Sequence, residues 1–452
     1  MQVAIKSGAH VSLFSAEYRN LSIGAVGLCS MIAFEAIGVA AGMPAVAGAL
    51  DGLPLYALAF AGTLAGSVVA MVWSGRDCDR HGPFRSMTVG MFLFAVGLLL
   101  AGLAESMATL VLGRVVQGFG VGALGVALYV ATARTLPQEL HPRLFALFST
   151  AWVVPAIVGP AISGWIVEHW GWRWLFLGIL VLLLPTAALI LPPIRGEREA
   201  SNSQGPTGRL FHWALLASIG CLALSVSGYA KEWMPVAALT SLAALVLAAN
   251  RLLPEGTLRL ARGLPTIIAL RGINASAFFL SEAFVPLWLH EQRGWSITAA
   301  GMALTGGALC WSLGSHLQSR MTLEATRQQW LQRGCLLLLL GISTCIGAVL
   351  GLMPEWSILI GWSITGFGMG VSFPMFGVLT LKLAPRELHG TYSSALQLAN
   401  ALFTGATLAA GGLIFSLLQA NSPIQAYLCV YLLAALLAAI SWTASRRTRP
   451  GD

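Results

Sequence analysis
Glu35 lies near the middle of an apolar run from Leu21 to Pro44, Arg114 sits about two turns into a second run, and Arg271 and Glu282 fall within a third. A charge surrounded by hydrocarbon is expensive and is kept where it pairs, carries a proton or meets a ligand. A carboxyl in such a place can take up and release a proton, because burial favours the neutral form and a neighbouring guanidinium favours the charged one. Arg114, with Gln117 one turn further on, is the partner that Glu35 requires in kind. Arg271 and Glu282 are about three helical turns apart. They therefore share one helix face, with Asn274, Ser276 and Ser281 between them. That face is predicted to look into a central cavity, whose apolar lining would include Phe278, Phe279, Phe284, Trp311 and Phe373. Proton carriage, with Glu35, Arg114, Gln117 and Glu282 as its residues, and ligand binding, with Glu35, Arg271, Asn274, Phe278 and Glu282, are the two expectations. Metal binding and catalysis are not expected: no histidine pair has metal-ligand spacing, and no Ser/His/Asp set or phosphate loop is present.

The elements that would hold these groups follow from composition. Only 10% of the 452 residues are charged and 57% are hydrophobic. A spanning helix needs about 20 largely apolar residues, and helices are forced because unpaired backbone groups cannot face lipid. Fourteen runs qualify, at 21–45, 55–74, 86–104, 107–133, 143–167, 173–193, 211–229, 234–252, 265–289, 296–317, 329–352, 355–381, 391–419 and 424–444. The net charge of +8 is no nucleic-acid footprint, since basic residues such as Arg76, Arg80, Arg85, Arg134, Arg195, Arg251, Arg333 and Arg446 fall on one side of the spans. Arg173, Lys231 and Arg293 fall on the other, so both termini are predicted cytoplasmic. Trp165, Trp170, Trp172, Trp174, Trp288, Trp295 and Trp356 would form a belt at the outer ends. Seven cysteines, among them Cys29, Cys221, Cys310, Cys345 and Cys429 inside predicted spans, imply no disulfide framework. The signal-peptidase-like Ala45-Val46-Ala47 follows an apolar run that is too long and carries Glu35, so cleavage is not expected.

The segment Gly118-Phe119-Gly120-Val121-Gly122 through Pro137-Gln138-Glu139-Leu140-His141 recurs as Gly366-Phe367-Gly368-Met369-Gly370 through Pro385-Arg386-Glu387-Leu388-His389, at a constant offset of 248 residues. Two homologous six-span bundles, 21–195 and 262–445, are expected on this basis, with two inserted spans in 211–261. A polar linker over 196–210 would leave the first bundle, and 1–20 and 446–452 would be cytoplasmic tails. Gly120-Val121-Gly122-Ala123-Leu124-Gly125 matches a dinucleotide pattern, but no strand precedes it, and small residues within a span serve close helix approach.

Between spans two and three, Gly75-Arg76-Asp77-Cys78-Asp79-Arg80-His81-Gly82-Pro83-Phe84-Arg85 forms a predicted tight loop. It resembles the signature loop of the major facilitator superfamily at Gly75, Asp79, Arg80, Gly82 and Arg85. Gly75 and Gly82 would permit the reversal, and Asp79 would pair with Arg80 or Arg85 or face a helix N-terminus. Arg114 to Gly120 resembles the fourth-helix motif of that superfamily. In span five, Gly159, Pro160 and Gly164 match the motif of its proton-driven exporters, while Pro155 and Ser163 replace glycines. Glu35 and Pro44 have the spacing found in the first helix of fourteen-span drug:proton antiporters, although Ile37 and Ala40 stand where a threonine and an asparagine are usual. Fourteen-span peptide carriers match less well, lacking their charged first-helix motif here.

The resemblance implies an all-α polytopic membrane protein of fourteen spans whose two six-helix bundles rock about a central cavity. It implies exchange of external protons for an internal amphipathic solute in the cell membrane, with the signature loop and Gly159-Pro160 acting on gating. No cofactor is implied beyond the proton gradient. The expected partners are a small amphipathic substrate, protons and membrane lipid around a monomer, with no nucleic acid. Uptake by symport on the same fold, and a non-transporting membrane receptor or scaffold, are the alternatives.

Overall fold
The structure, a computed structural model, describes residues 12–196, 208–319, 324–385 and 388–448. Most of the expected linker, and parts of both tails, lie outside these residues. Fourteen α-helices make up the fold: α1 (Arg19–Ala49), α2 (Tyr56–His81), α3 (Pro83–Gly102), α4 (Met107–Thr135), α5 (His141–Trp170), α6 (Trp174–Ile194), α7 (Gly208–Val226), α8 (Met234–Leu252), α9 (Leu264–Arg293), α10 (Ile297–Ser319), α11 (Glu324–Val349), α12 (Ser357–Leu383), α13 (His389–Leu418) and α14 (Pro423–Ala444). Thirteen described stretches are long and apolar enough to cross a membrane. One of them, Leu210–Leu252, is 43 residues long, twice what a single crossing needs. It holds both α7 and α8, which pack on each other across a 3-10 turn, Ser227–Trp233, where Lys231 adopts a φ of 49°. Among the described residues, fourteen helices of crossing length result.

Packing repeats itself. Within the first six helices, α4 lies against α2 and α3, and α1 lies against α5 and α6; within the last six, α12 lies against α10 and α11, and α9 against α13 and α14. Lipid tails are as apolar as the helices they surround, so close van der Waals fit, rather than hydrophobic burial, must hold such helices together. The repeated glycines supply that fit. A Cβ at Gly118 or Gly122 would run into the Thr63 or Ser67 carbonyl of α2, and one at Gly120 into the Phe94 backbone of α3. Their counterparts repeat the arrangement: Gly366 and Gly370 face Gly307 and Trp311 of α10, and Gly368 faces Gly334 and Leu338 of α11. One glycine motif thus lets a single helix approach two neighbours at once, in both sets.

The hairpin α7–α8 packs on α2 and α13, where the two sets of six meet. A second line of contact joins α5 to α10. Tryptophans only partly follow the expected belt. Trp165, Trp170, Trp174 and Trp356 are exposed, but Trp172 and Trp288 are buried. Trp288 differs because it faces inward from α9 among residues 283–289, all of them buried, instead of toward the surface.

Candidate functional site
Glu35 on α1 accepts a hydrogen bond from Arg114 Nη1 on α4, closing an ion pair in which both side chains are almost wholly buried. The same Nη1 donates to Gln117 Oε1 at 2.8 Å, and Arg114 Nε donates to the Ala59 carbonyl of α2 at 3.0 Å. Three helices are therefore tied at one guanidinium. Gln117 can serve because it stands one turn after Arg114 on the same face. A buried charge is tolerated where its hydrogen bonds are met, and Arg114 meets them with one charged and two neutral acceptors. Glu35 is 2% exposed. It lies within the first set of helices, paired to α4.

The α9 residues divide in two. Arg271 and Glu282 are partly exposed, whereas Asn274 and Phe278 are buried. Asn274 was expected in the cavity lining and is instead a lock between helices: its Nδ2 donates to Ser372 Oγ of α12 at 2.8 Å, and its Oδ1 accepts from Ser441 Oγ of α14 at 2.6 Å. Wholly buried and engaged at both ends by neighbouring helices, the amide is not open to a ligand. Phe278, also expected on the cavity surface, is stacked on Trp362 with ring centroids 4.7 Å apart and meets Trp311 edge-on. It backs the wall that Trp311 and Phe373 continue. Arg271 lies over the Phe373 ring, 3.4 Å from its centroid, and donates to the Phe373 carbonyl at 3.1 Å.

The two sets of helices meet closely at the end of the molecule where α1 gives way to α2. There Tyr56 Oη donates to the Ala283 carbonyl at 2.5 Å, and the Thr298 backbone N–H of α10 donates to Glu168 Oε1 of α5 at 3.0 Å. Gly164 packs directly against Thr298, and Gly301 of α10 against Pro160 and Ala41. The α5 motif thus sits on the seam: Gly164 and Pro160 face α10, while Gly159 faces Phe34 and Ile37 of α1. α5 continues through Pro155 and Pro160 as one helix. Ser163, where the exporter pattern has glycine, is buried against α1, and the space it needs comes from Gly38 opposite.

The signature segment is organised differently from the expected loop. α2 runs on to His81, so Gly75 is helical with open space beside it, and the reversal is made by Gly82 alone, at φ 79°, followed by Pro83 at the start of α3. Asp79 was expected to pair with Arg80 or Arg85, but it and Arg80 point outward. The buried acceptor is Asp77, which takes Ser86 Oγ at 2.9 Å and His81 Nδ1 at 3.0 Å, and lies 3.3 Å from Arg85 Nη1. Helical continuation accounts for the exchange, because residues 77 and 81 share a face one turn apart and Asp79 falls on the other side. Ser86, nine residues on, is the sequence signal for Asp77, visible only once Gly82 is known to fold α3 back on α2.

The model of the Major Facilitator Superfamily matches residues 23–406. A protein of Mycobacterium tuberculosis named "Probable multidrug-efflux transporter" is 26% identical over 476 residues, which cover 99% of each chain. "Multidrug resistance protein 3" of Bacillus subtilis is 24% identical over 412 residues, 86% of this chain and 77% of its own. Among solved structures, a POT family transporter superposes with a TM-score of 0.69 at 15% identity, covering 96% of this chain and 99% of that one. A D-xylose-proton symporter gives 0.66 at 13% identity, covering 94% and 97%. At these identities the structural likeness is one of fold.

Proposed function
The chain belongs to the Major Facilitator Superfamily, and from that premise we propose that it exports amphipathic small molecules across the cell membrane in exchange for protons. The observation that carries this reading is the buried Glu35–Arg114–Gln117 cluster, a carboxylate held out of water by a cation on another helix. The multidrug-efflux names of relatives aligned over most of the chain support the cargo class and the direction.

The chain's own residues suggest how coupling works. With Glu35 ionised, Arg114 holds α1 to α4 while α2 is held through Ala59. A proton on Glu35 Oε1 removes the charge that Arg114 answers, leaves the guanidinium with Ala59 and Gln117, and loosens α1. With both termini cytoplasmic, the sealed α1–α2 end faces outward and the other end receives cargo from the cytoplasm. Cargo leaves when the Glu168–Thr298 and Tyr56–Ala283 contacts part. The proton taken up outside is released inside when the Glu35–Arg114 pair re-forms. One proton moving through about 150 mV releases about 3.5 kcal/mol, enough for a solute gradient of roughly a few hundredfold.

The test is proton movement in inverted vesicles, followed by a pH-sensitive dye, on addition of cationic, neutral and anionic amphipaths. Wild type should release protons on cargo addition and Glu35→Gln should not. Uphill export by Glu35→Gln would remove Glu35 from the coupling step.

A further inference from the structure
Glu35, Arg114, Arg271 and Glu282, the four charges that the sequence places inside apolar runs, are not equivalent. Glu35 and Arg114 neutralise each other, whereas neither Arg271 nor Glu282 has an ion-pair partner among the described residues. Arg271 is also short of acceptors: its Nη2 reaches Gln397 Oε1 only at 3.5 Å, and its buried Nε meets none. Its side chain is only partly buried, so the guanidinium is not closed off by the helices around it. Glu282 lies on the same face about 16 Å further along α9, too far for the two to pair. It adjoins Ala283, whose carbonyl receives the Tyr56 hydroxyl from the opposite set. Between the charges runs a chain of rings, Phe278 edge-on to Trp311 at 5.0 Å and Trp311 edge-on to Phe373 at 5.3 Å.

We propose that this wall binds an elongated aromatic zwitterion, its carboxylate on Arg271 and its ammonium on Glu282. A simple cation would satisfy Glu282 and leave Arg271 without a counter-charge; a simple anion would do the reverse. A carboxylate gives Arg271 a charged acceptor for donors that now point at neutral oxygens or at nothing. An ammonium gives Glu282 the counter-charge its surroundings lack, and an aromatic body packs edge-on or offset against Trp311 and Phe373. Allowing about 3 Å for each contact, the two charges of the ligand stand roughly 10 Å apart. The inference deepens the export reading by naming its cargo class, and it rests on that reading for passage of the ligand but not for its binding.

A matched series separates these cases: 4′-(aminomethyl)biphenyl-4-carboxylic acid, its methyl ester, which is a cation, and its N-acetyl derivative, which is an anion. Binding is measured by equilibrium dialysis against the purified full chain in detergent, where no gradient is needed. In wild type the zwitterion should bind about tenfold or more tighter than either derivative. Arg271→Gln should erase its advantage over the ester, Glu282→Gln its advantage over the N-acetyl compound, and Arg271→Lys should keep part of the first. Each variant is first checked for a single gel-filtration species, and Arg271→Lys carries the comparison if Arg271→Gln aggregates. The proposal is overturned if either derivative binds wild type as tightly as the zwitterion, or if the zwitterion's advantage survives both charge removals. Glu35-dependent proton release by a lipophilic cation, without any preference for the zwitterion, would overturn this inference and leave the export reading standing. A zwitterion preference in binding, without proton movement, would do the opposite.

Discussion

Breaking the Glu35–Arg114 pair from either side should destabilise the protein more than removing both partners together. In Glu35→Leu the guanidinium stays buried with only Ala59 and Gln117 as neutral acceptors. In Arg114→Leu the carboxyl is stranded. Removing one partner of a buried pair costs about 3–5 kcal/mol, whereas replacing both with apolar groups is close to neutral. The double variant still loses the two hydrogen bonds to Ala59 and Gln117, about 2 kcal/mol at about 1 kcal/mol each. On the scale of globular proteins, 452 residues give an unfolding entropy near 1 kcal/mol per degree. Each single variant should then lose about 3–5 °C and the double about 2 °C. The two singles should fall in the same range, because Arg114→Leu also gives up the bonds to Ala59 and Gln117 while its stranded carboxyl can shed its charge by binding a proton, which a stranded guanidinium cannot. The assay is the temperature at which the monodisperse gel-filtration peak in detergent falls by half. A double variant that loses as much as the two singles combined would show that the residues do not act on each other, and the coupling scheme would fail with them.

Asp77→Asn should slow transport turnover and weaken the α2–α3 corner by about 1.5–3 kcal/mol, the range for hydrogen bonds to a charged group, while Asp79→Asn stays near wild type; equal effects in a vesicle transport assay would contradict the assignment. Gly118→Ala and Gly366→Ala each drive a methyl group into a neighbouring backbone that cannot yield, so both should give aggregated protein on gel filtration, whereas Gly75→Ala, with open space beside it, should not. Asn274→Ala takes away the Asn274 oxygen that Ser441 donates to, leaving it only Cys335 Sγ at 3.4 Å, and removes its own bond to Ser372, and a thermal shift should register a loss of about 1–3 kcal/mol with little change in ligand preference. Glu168→Gln weakens the capping of α10 across the seam, so a cysteine placed at Thr298 should react faster with a membrane-impermeant maleimide in that background than in wild type.

Membrane residence, helix number and the need for a partner at Glu35 were legible because each depends on local or nearest-neighbour chemistry. Lipid forces helices, a run of apolar residues sets their length, and a charge within such a run must be answered. The repeat also announced its purpose, since glycines at a spacing of two present small surfaces on two sides of one helix. Legibility failed where a side chain's direction mattered. Asp77 and Asp79 are equivalent in composition, and only the extension of α2 to His81 decides that the first turns inward and the second outward. Asn274 looked like a cavity residue because it lies between two ionisable groups, but it is rotated a turn's fraction off their face and is taken up by Ser372 and Ser441.

The order of helices, their apolar faces and the presence of four charges within apolar spans belong to the sequence by itself, because the transfer of a charge or a bare peptide group into hydrocarbon is unfavourable whatever the surrounding fold. Which charges cancel and which remain open was decided only by the tertiary structure. Glu35 and Arg114 are 79 positions apart and meet only because the packing of the first six helices brings α1 against α4. Arg271 and Glu282, only three turns apart on one helix, cannot meet, because a rigid helix holds them at a distance that no side chain can close.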